Sequence, residues 1–177
     1  MPGLKRHPAR AETATVDRTD DDLSRFWVRL ALAIVIWPHG AQKVLGWFGG
    51  AGPAKTIEMF NGAWGIPPFV TVLVMLAEFV GPVLLLAGFL GRFAALSIGL
   101  VMAGAIVFVT GRWGFFMNWY GQPRGEGFEF HLLVFGMVAA ILVGGSGRWS
   151  VDRMLTRRRG YADRGYAAAD RPVAAVR

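Results

Sequence analysis

Glu78 is the single charged residue in an otherwise apolar run from Ile66 to Leu90. Four other ionisable side chains share this unusual setting: His39, Lys43, Glu129 and His131 lie in or at the edge of apolar stretches. A charge at the middle of a membrane helix costs about 2.5–3.5 kcal/mol on insertion scales, so each needs a partner or a task. Carboxylate, imidazole and ammonium groups in a half-dry site can relay protons to a carbonyl-bearing ligand. Quinones require this, because their reduction needs matched proton delivery and their oxygens accept hydrogen bonds. On this reading Glu78, His39 and His131 form the proton relay, and Lys43, Glu129 and Trp119 are the ligand contacts. Each residue also has a structural reading. Lys43 can snorkel to the headgroups, Glu129 can be interfacial, and Glu78 and the histidines can make interhelical hydrogen bonds.

The elements that must position these groups are helices. Four apolar segments run from about Phe26 to Phe48, Ile66 to Leu90, Phe93 to Thr110 and Phe128 to Gly145. Each is close to the roughly 20 residues that cross a ~30 Å hydrocarbon core. They lack the period-2 alternation of strands, and lipid offers no partner to an open sheet edge. The uncharged part of the fourth, Leu132 to Gly145, is short, so Glu129 and His131 belong at its outer end. Within the first segment His39 and Lys43 are four residues apart and share a face. Pro38, just before them, removes one backbone bond and predicts a kink.

Charge supports the same organisation. The chain of 177 residues is 54% hydrophobic and only 18% charged. Residues 1–25 hold five basic and five acidic side chains, and residues 148–177 hold eight and three. These ends, with Arg92 in the turn between the second and third segments, carry fourteen Lys or Arg. The two longer connections carry only Lys55, Arg112 and Arg124. The positive-inside rule then puts both termini in the cytoplasm and those two connections outside. The expectation is an all-α, membrane-embedded four-helix bundle in the bacterial plasma membrane. It is organised as a polar cytoplasmic tail (1–25), a transmembrane domain (26–155) and a basic, disordered cytoplasmic tail (156–177). The first apolar segment reads as a retained signal anchor, being too long for a cleaved one. At about 1.5 Å per residue, all five polar residues fall in the outer half or at the midplane, as one site opening outward. Arg29, one turn in from the cytoplasm, reads as snorkelling.

The outward connections carry the amphipathic stretch Ala54–Phe60 and the rings Trp113, Phe115, Phe116, Trp119 and Tyr120. Such rings anchor at the headgroup level or roof a site. Arg153, Arg157, Arg158, Arg159 and Arg164 read as a lipid and topology anchor rather than a nucleic-acid contact. With no cysteine, disulfides, thiol redox chemistry, iron–sulfur clusters and c-type haem are excluded. A bis-histidine haem or a metal site is weakly supported, because the spacings match no closed ligand set.

Several segments resemble the DoxX family. Pro38-His39-Gly40-Ala41-Gln42-Lys43, then Gly46-Trp47-Phe48-Gly49-Gly50-Ala51-Gly52, is similar to its first-helix signature. Ala77-Glu78-Phe79-Val80-Gly81 and Leu84-Leu85-Leu86-Ala87-Gly88-Phe89 resemble its second helix. Gly125-Glu126-Gly127-Phe128-Glu129-Phe130-His131 resembles the start of its fourth, and Gly145-Ser146-Gly147-Arg148-Trp149-Ser150-Val151-Asp152 its closing segment. The resemblance covers about residues 26–155. It implies a small four-helix membrane protein with a quinone or oxidative-stress association, the family name coming from the small subunit of a thiosulfate:quinone oxidoreductase. That complex also needs a DoxD-type partner, which this chain does not contain.

Three functions follow as expectations. The first is a quinone-linked redox subunit, an accessory to a quinone-dependent oxidoreductase, with a partner redox protein or a second copy of itself. The second is a non-catalytic scaffold recruiting an oxidoreductase or detoxifying enzyme to the bilayer. The third is a carrier of small solutes or lipid.

Overall fold

The computed structural model describes residues 9–156. It is helical, with no strand among the described residues. The five α-helices are α1 (Ala9–Val44), α2 (Gly52–Trp64), α3 (Pro68–Ala87), α4 (Gly91–Ala105) and α5 (Glu129–Gly144). After α4 the chain tightens through a π-helical turn, Ile106–Thr110, and a 3-10 turn, Gly111–Trp113. Residues 1–8 and 157–177 lie outside the described residues, and with them almost all of the expected disordered tail.

Local chemistry sets the boundaries. Pro68 opens α3, where its fixed φ suits a first turn whose N–H would go unused. Gly88 closes the same helix in the left-handed region at φ 64°, with its N–H returned to the last turn. Leu90, which opens α4, has φ 50° without being glycine. That conformation is costly for a side-chain-bearing residue and persists where its surroundings fix it. Here Asp152 does so: its carboxylate accepts from Leu90 N at 2.9 Å, Gly91 N at 3.2 Å and Ser146 Oγ at 2.9 Å.

Helix α1 packs on α3 and α5, and α4 packs on the same two helices. The core between them is Leu32, Ile36, Leu85, Ile98, Val134 and Ile141, all at most 2% exposed. Small residues bring the backbones together: Gly99 faces the Val138 side chain, and Gly81 faces Ile98. The outward faces are apolar as well. Leu73, Phe93, Leu100, Leu133 and Val143 are each at least 59% exposed. A core wrapped in bare aliphatic and aromatic side chains suits hydrocarbon, not water. Helix α3 and the Gly91–Trp113 segment, at 20 and 23 residues, are long and apolar enough to cross a bilayer. Helix α5 is apolar but shorter, at 16 residues.

Three elements differ from the sequence reading. The first helix begins at Ala9, well before the apolar boundary at Phe26. It also ends at Val44, four residues short of Phe48, since Gly46 at φ 71° turns the chain back over its end. The amphipathic stretch 54–60 is part of a full helix, α2, whose buried Thr56 donates to Gly52 O at 2.6 Å. Arg29 does not snorkel. It is 1% exposed, and its Nη2 donates to the carbonyl of Trp149 at 2.7 Å. The guanidinium also lies 6.0 Å from the Phe26 ring centroid. A carbonyl 120 residues away in the chain replaces the water at Nη2, while Nε and Nη1 are buried without a hydrogen-bond partner.

Candidate functional site

The site grows from a close approach of two backbones. Gly40 on α1 lies directly against the peptide joining Glu78 and Phe79 on α3, where a Cβ would overlap main-chain atoms. Only glycine fits there. Three residues on, nearly one helical turn, Lys43 is brought against α3 and forms an ion pair with Glu78. The Glu78 side chain is 5% exposed and that of Lys43 20%, so the carboxylate is the deeper member and the ammonium lies nearer the surface. Lys43 Nζ also lies 3.4 Å from the backbone oxygen of His39. The partner that the buried carboxylate needs is thus Lys43, supplied by α1.

The histidines flank this pair differently. His39 is exposed, yet it lies within electrostatic range of both Lys43 and Glu78. His131, in the first turn of α5, is 8% exposed and within electrostatic range of His39. Its Nδ1 is buried without a hydrogen-bond partner. A buried imidazole with an unused nitrogen can donate to, or accept from, a further group. Of the five residues that the sequence reading draws into one site, His39, Lys43, Glu78 and His131 thus approach one another from α1, α3 and α5, and Glu129 does not join them.

Aromatic rings line the α1–α3 seam beside the pair. Phe79 stacks on Trp37 at 5.8 Å between centroids, and Trp37 meets Trp47 edge-on at 6.1 Å. Trp47 belongs to the glycine-rich loop that follows α1, and Gln42 Nε2 holds that loop through the carbonyl of Phe48 at 3.3 Å. The loop thus folds Trp47 back onto Trp37 of α1.

Glu129 and Trp119 lie elsewhere. Glu129 Oε2 accepts from Met117 N at 3.2 Å, and its own N–H donates to Phe115 O at 2.8 Å, so it clasps the preceding loop to the start of α5. Glu126 clasps the same loop through Asn118 N at 2.6 Å. Trp119 is 75% exposed at the tip of that loop. Among the described residues, no three His, Asp or Glu side chains converge as a metal-binding set.

One residue of interest escaped the sequence reading. Thr71 lies seven residues before Glu78 on α3, on the same face, fully buried with its hydroxyl unpartnered. Threonine is common in helices of this kind, and only its burial without a partner distinguishes it.

The DoxX family model matches residues 25–111, which include Gly40, Lys43, Thr71 and Glu78. The inner membrane protein YqjF of Escherichia coli (strain K12) is 27% identical over 139 residues, covering 78% of this chain and 96% of that protein. No solved structure matches. Residues 25–111 are a DoxX-type domain, and the chain is a membrane protein similar to the DoxX family there.

Proposed function

We propose that this protein is a multi-pass subunit of the bacterial plasma membrane that delivers protons to a quinone-type ligand. In this reading α1, α3, α4 and α5 all cross the bilayer, both termini are cytoplasmic, and the polar site opens outward. The observation that carries the proposal is the buried Glu78–Lys43 pair with a partnerless imidazole nitrogen on the neighbouring helix. A quinone carbonyl fits these groups, since it accepts from an imidazole N–H and its flat ring packs on aromatic faces such as Trp37 and Phe79. Glu78 and the histidines hold and pass the protons, while Lys43 fixes the position of the carboxyl through the ion pair. The electrons come from a partner oxidoreductase, which the chain serves as an accessory subunit.

Glu78→Gln tests this reading. The amide keeps the volume and hydrogen bonding but cannot titrate. Quinone-dependent activity or oxidative-stress resistance should fall to that of the deletion strain while the protein still inserts. His131→Ala should do the same, and the double variant should be no worse, as expected of groups acting as a unit. Full activity of Glu78→Gln at normal abundance would refute the relay.

A scaffold role is the second reading, favoured by the outer loop, where Trp119 and Tyr120 are 75% and 90% exposed. On that reading loop substitutions abolish function and Glu78→Gln is silent. The orientation has its own test. Reporter fusions at Arg92 and the carboxy terminus should read cytoplasmic, and those at Lys55 and Tyr120 periplasmic. A periplasmic carboxy terminus would contradict it.

A further inference from the structure

The interior of the bundle is divided between two chemistries. Among the described residues, the buried polar side chains fall into two groups. Thr56, Thr71, Glu78, Thr110 and His131 lie between the middle of the bundle and the end that carries α2. Arg29, Ser146 and Ser150 lie at the opposite end. The layer between them is built from Leu32, Ile36, Leu85, Ile98, Val138 and Ile141, all at most 5% exposed and drawn from α1, α3, α4 and α5.

Two helices give this layer the same thickness. Glu78 is ten residues from Gly88 at the end of α3, about 15 Å. Gly40, which touches the Glu78 backbone, is eleven residues from Arg29 on α1, about 16 Å. A proton crosses such a distance through water or through titratable side chains. The layer offers no titratable group, and it offers no polar partner of the kind a buried water requires.

Arg29 closes the far side. Its guanidinium is 1% exposed, and a Cβ at Gly88 would overlap both its Nη1 and Ser150, so the end of α3 and the segment after α5 pack tightly around it. Asp152 lies within electrostatic range and offsets part of the charge. The closure does not depend on that charge. A guanidinium stays protonated and has no acceptor atom, so it cannot take up a proton and hand it on.

The α2 side is open. His39 is exposed and one turn from Lys43, whose side chain is 20% exposed and pairs with Glu78. The ionisable groups near Glu78 are these two from α1, with His131 of α5 beside His39. Of the other helices packed on α3, α4 carries only Arg92, at the far end, and α2 carries Lys55 and Glu58, both exposed.

We infer that the bundle is a one-sided proton path: Glu78 exchanges protons with the α2 side alone, and the layer from Ile36 to Arg29 bars the other. The inference rests on the orientation proposed above, in which the α2 side is periplasmic. Protons delivered at the site are then drawn from the periplasm.

The chain has no cysteine, so single introduced thiols report water at each depth. A charged, membrane-impermeant thiosulfonate reaches the periplasmic face in whole cells and the cytoplasmic face in inverted vesicles. His39→Cys should react at least about tenfold faster in cells, because only a hydrated thiol ionises to the reactive thiolate. Leu32→Cys and Leu85→Cys should react from neither face. Proteoliposomes of the wild-type chain, loaded with a pH dye, should take up protons no faster than protein-free ones. Reaction of Leu32→Cys or Leu85→Cys from either face would overturn the barrier, as would proton uptake through the wild-type chain. Reaction of His39→Cys as fast from the cytoplasmic face, or from neither face, would overturn the one-sided access. No quinone enters these measurements, so loss of the quinone assignment alone leaves every expected result as stated.

Discussion

Lys43→Met should destabilise the protein by about 3–5 kcal/mol, the usual cost of breaking a buried ion pair from one side. The asymmetry of the pair decides which partner matters more. Lys43 is nearer the surface and, if Glu78 is lost, can extend its ammonium towards the headgroups. Glu78, 5% exposed, cannot follow, so removal of Lys43 strands a carboxylate that must protonate or stay unpaired. Glu78→Gln should therefore cost clearly less than Lys43→Met. The double variant Lys43→Met/Glu78→Gln should recover to within about 1 kcal/mol of wild type, because neither charge is then left alone. Reversible unfolding in mixed micelles measures all three. Additive losses would mean that the two residues act independently and the pair is incidental.

Gly40→Ala should be among the most damaging single substitutions in the chain, at more than about 4 kcal/mol. The added Cβ would occupy the position of the Glu78 carbonyl and the Phe79 nitrogen, and main-chain atoms inside a helix cannot rotate aside. Helices α1 and α3 must separate, and the core they share loses its density. The gain of up to about 1 kcal/mol that alanine brings to a helix cannot offset this. Gly62→Ala in α2 is the control, since nothing lies within 4 Å of its added Cβ and the change should be neutral or stabilising. Unfolding of both variants, with yield of folded protein as a second readout, separates helix propensity from crowding. Tolerance of Gly40→Ala would mean that the close approach of α1 and α3 is not required.

Much of this site was legible because charge in an apolar run is conspicuous. Glu78 and Lys43 stand out by cost alone, and their calculated depths bring them together before any contact is known. The helices that carry them follow from the length and composition of the apolar runs. Other features depend on partners too remote in sequence to read. Arg29 looks like a snorkelling residue until the Trp149 carbonyl, 120 residues away, comes to meet it. Asp152 looks like one charge in a basic tail, yet it fixes the strained Leu90 that starts α4. Thr71 is silent because a hydroxyl in an apolar helix is ordinary, and only its burial without a partner marks it. Depth places Glu129 with the site, and an aromatic ring in the connecting loop makes Trp119 a candidate roof for it. Depth alone does not say that the Glu129 carboxylate turns towards Met117 in its own loop.

The central claim is that the pair between α1 and α3, with His131 beside it, serves a quinone. Its most direct measurement is the quinone content of the protein purified in mild detergent, by solvent extraction and absorption difference on reduction. Wild-type protein should retain quinone well above that of an unrelated membrane protein carrying the same amount of lipid, and His131→Ala should lose it. Wild-type protein with no more quinone than the unrelated control would contradict the account.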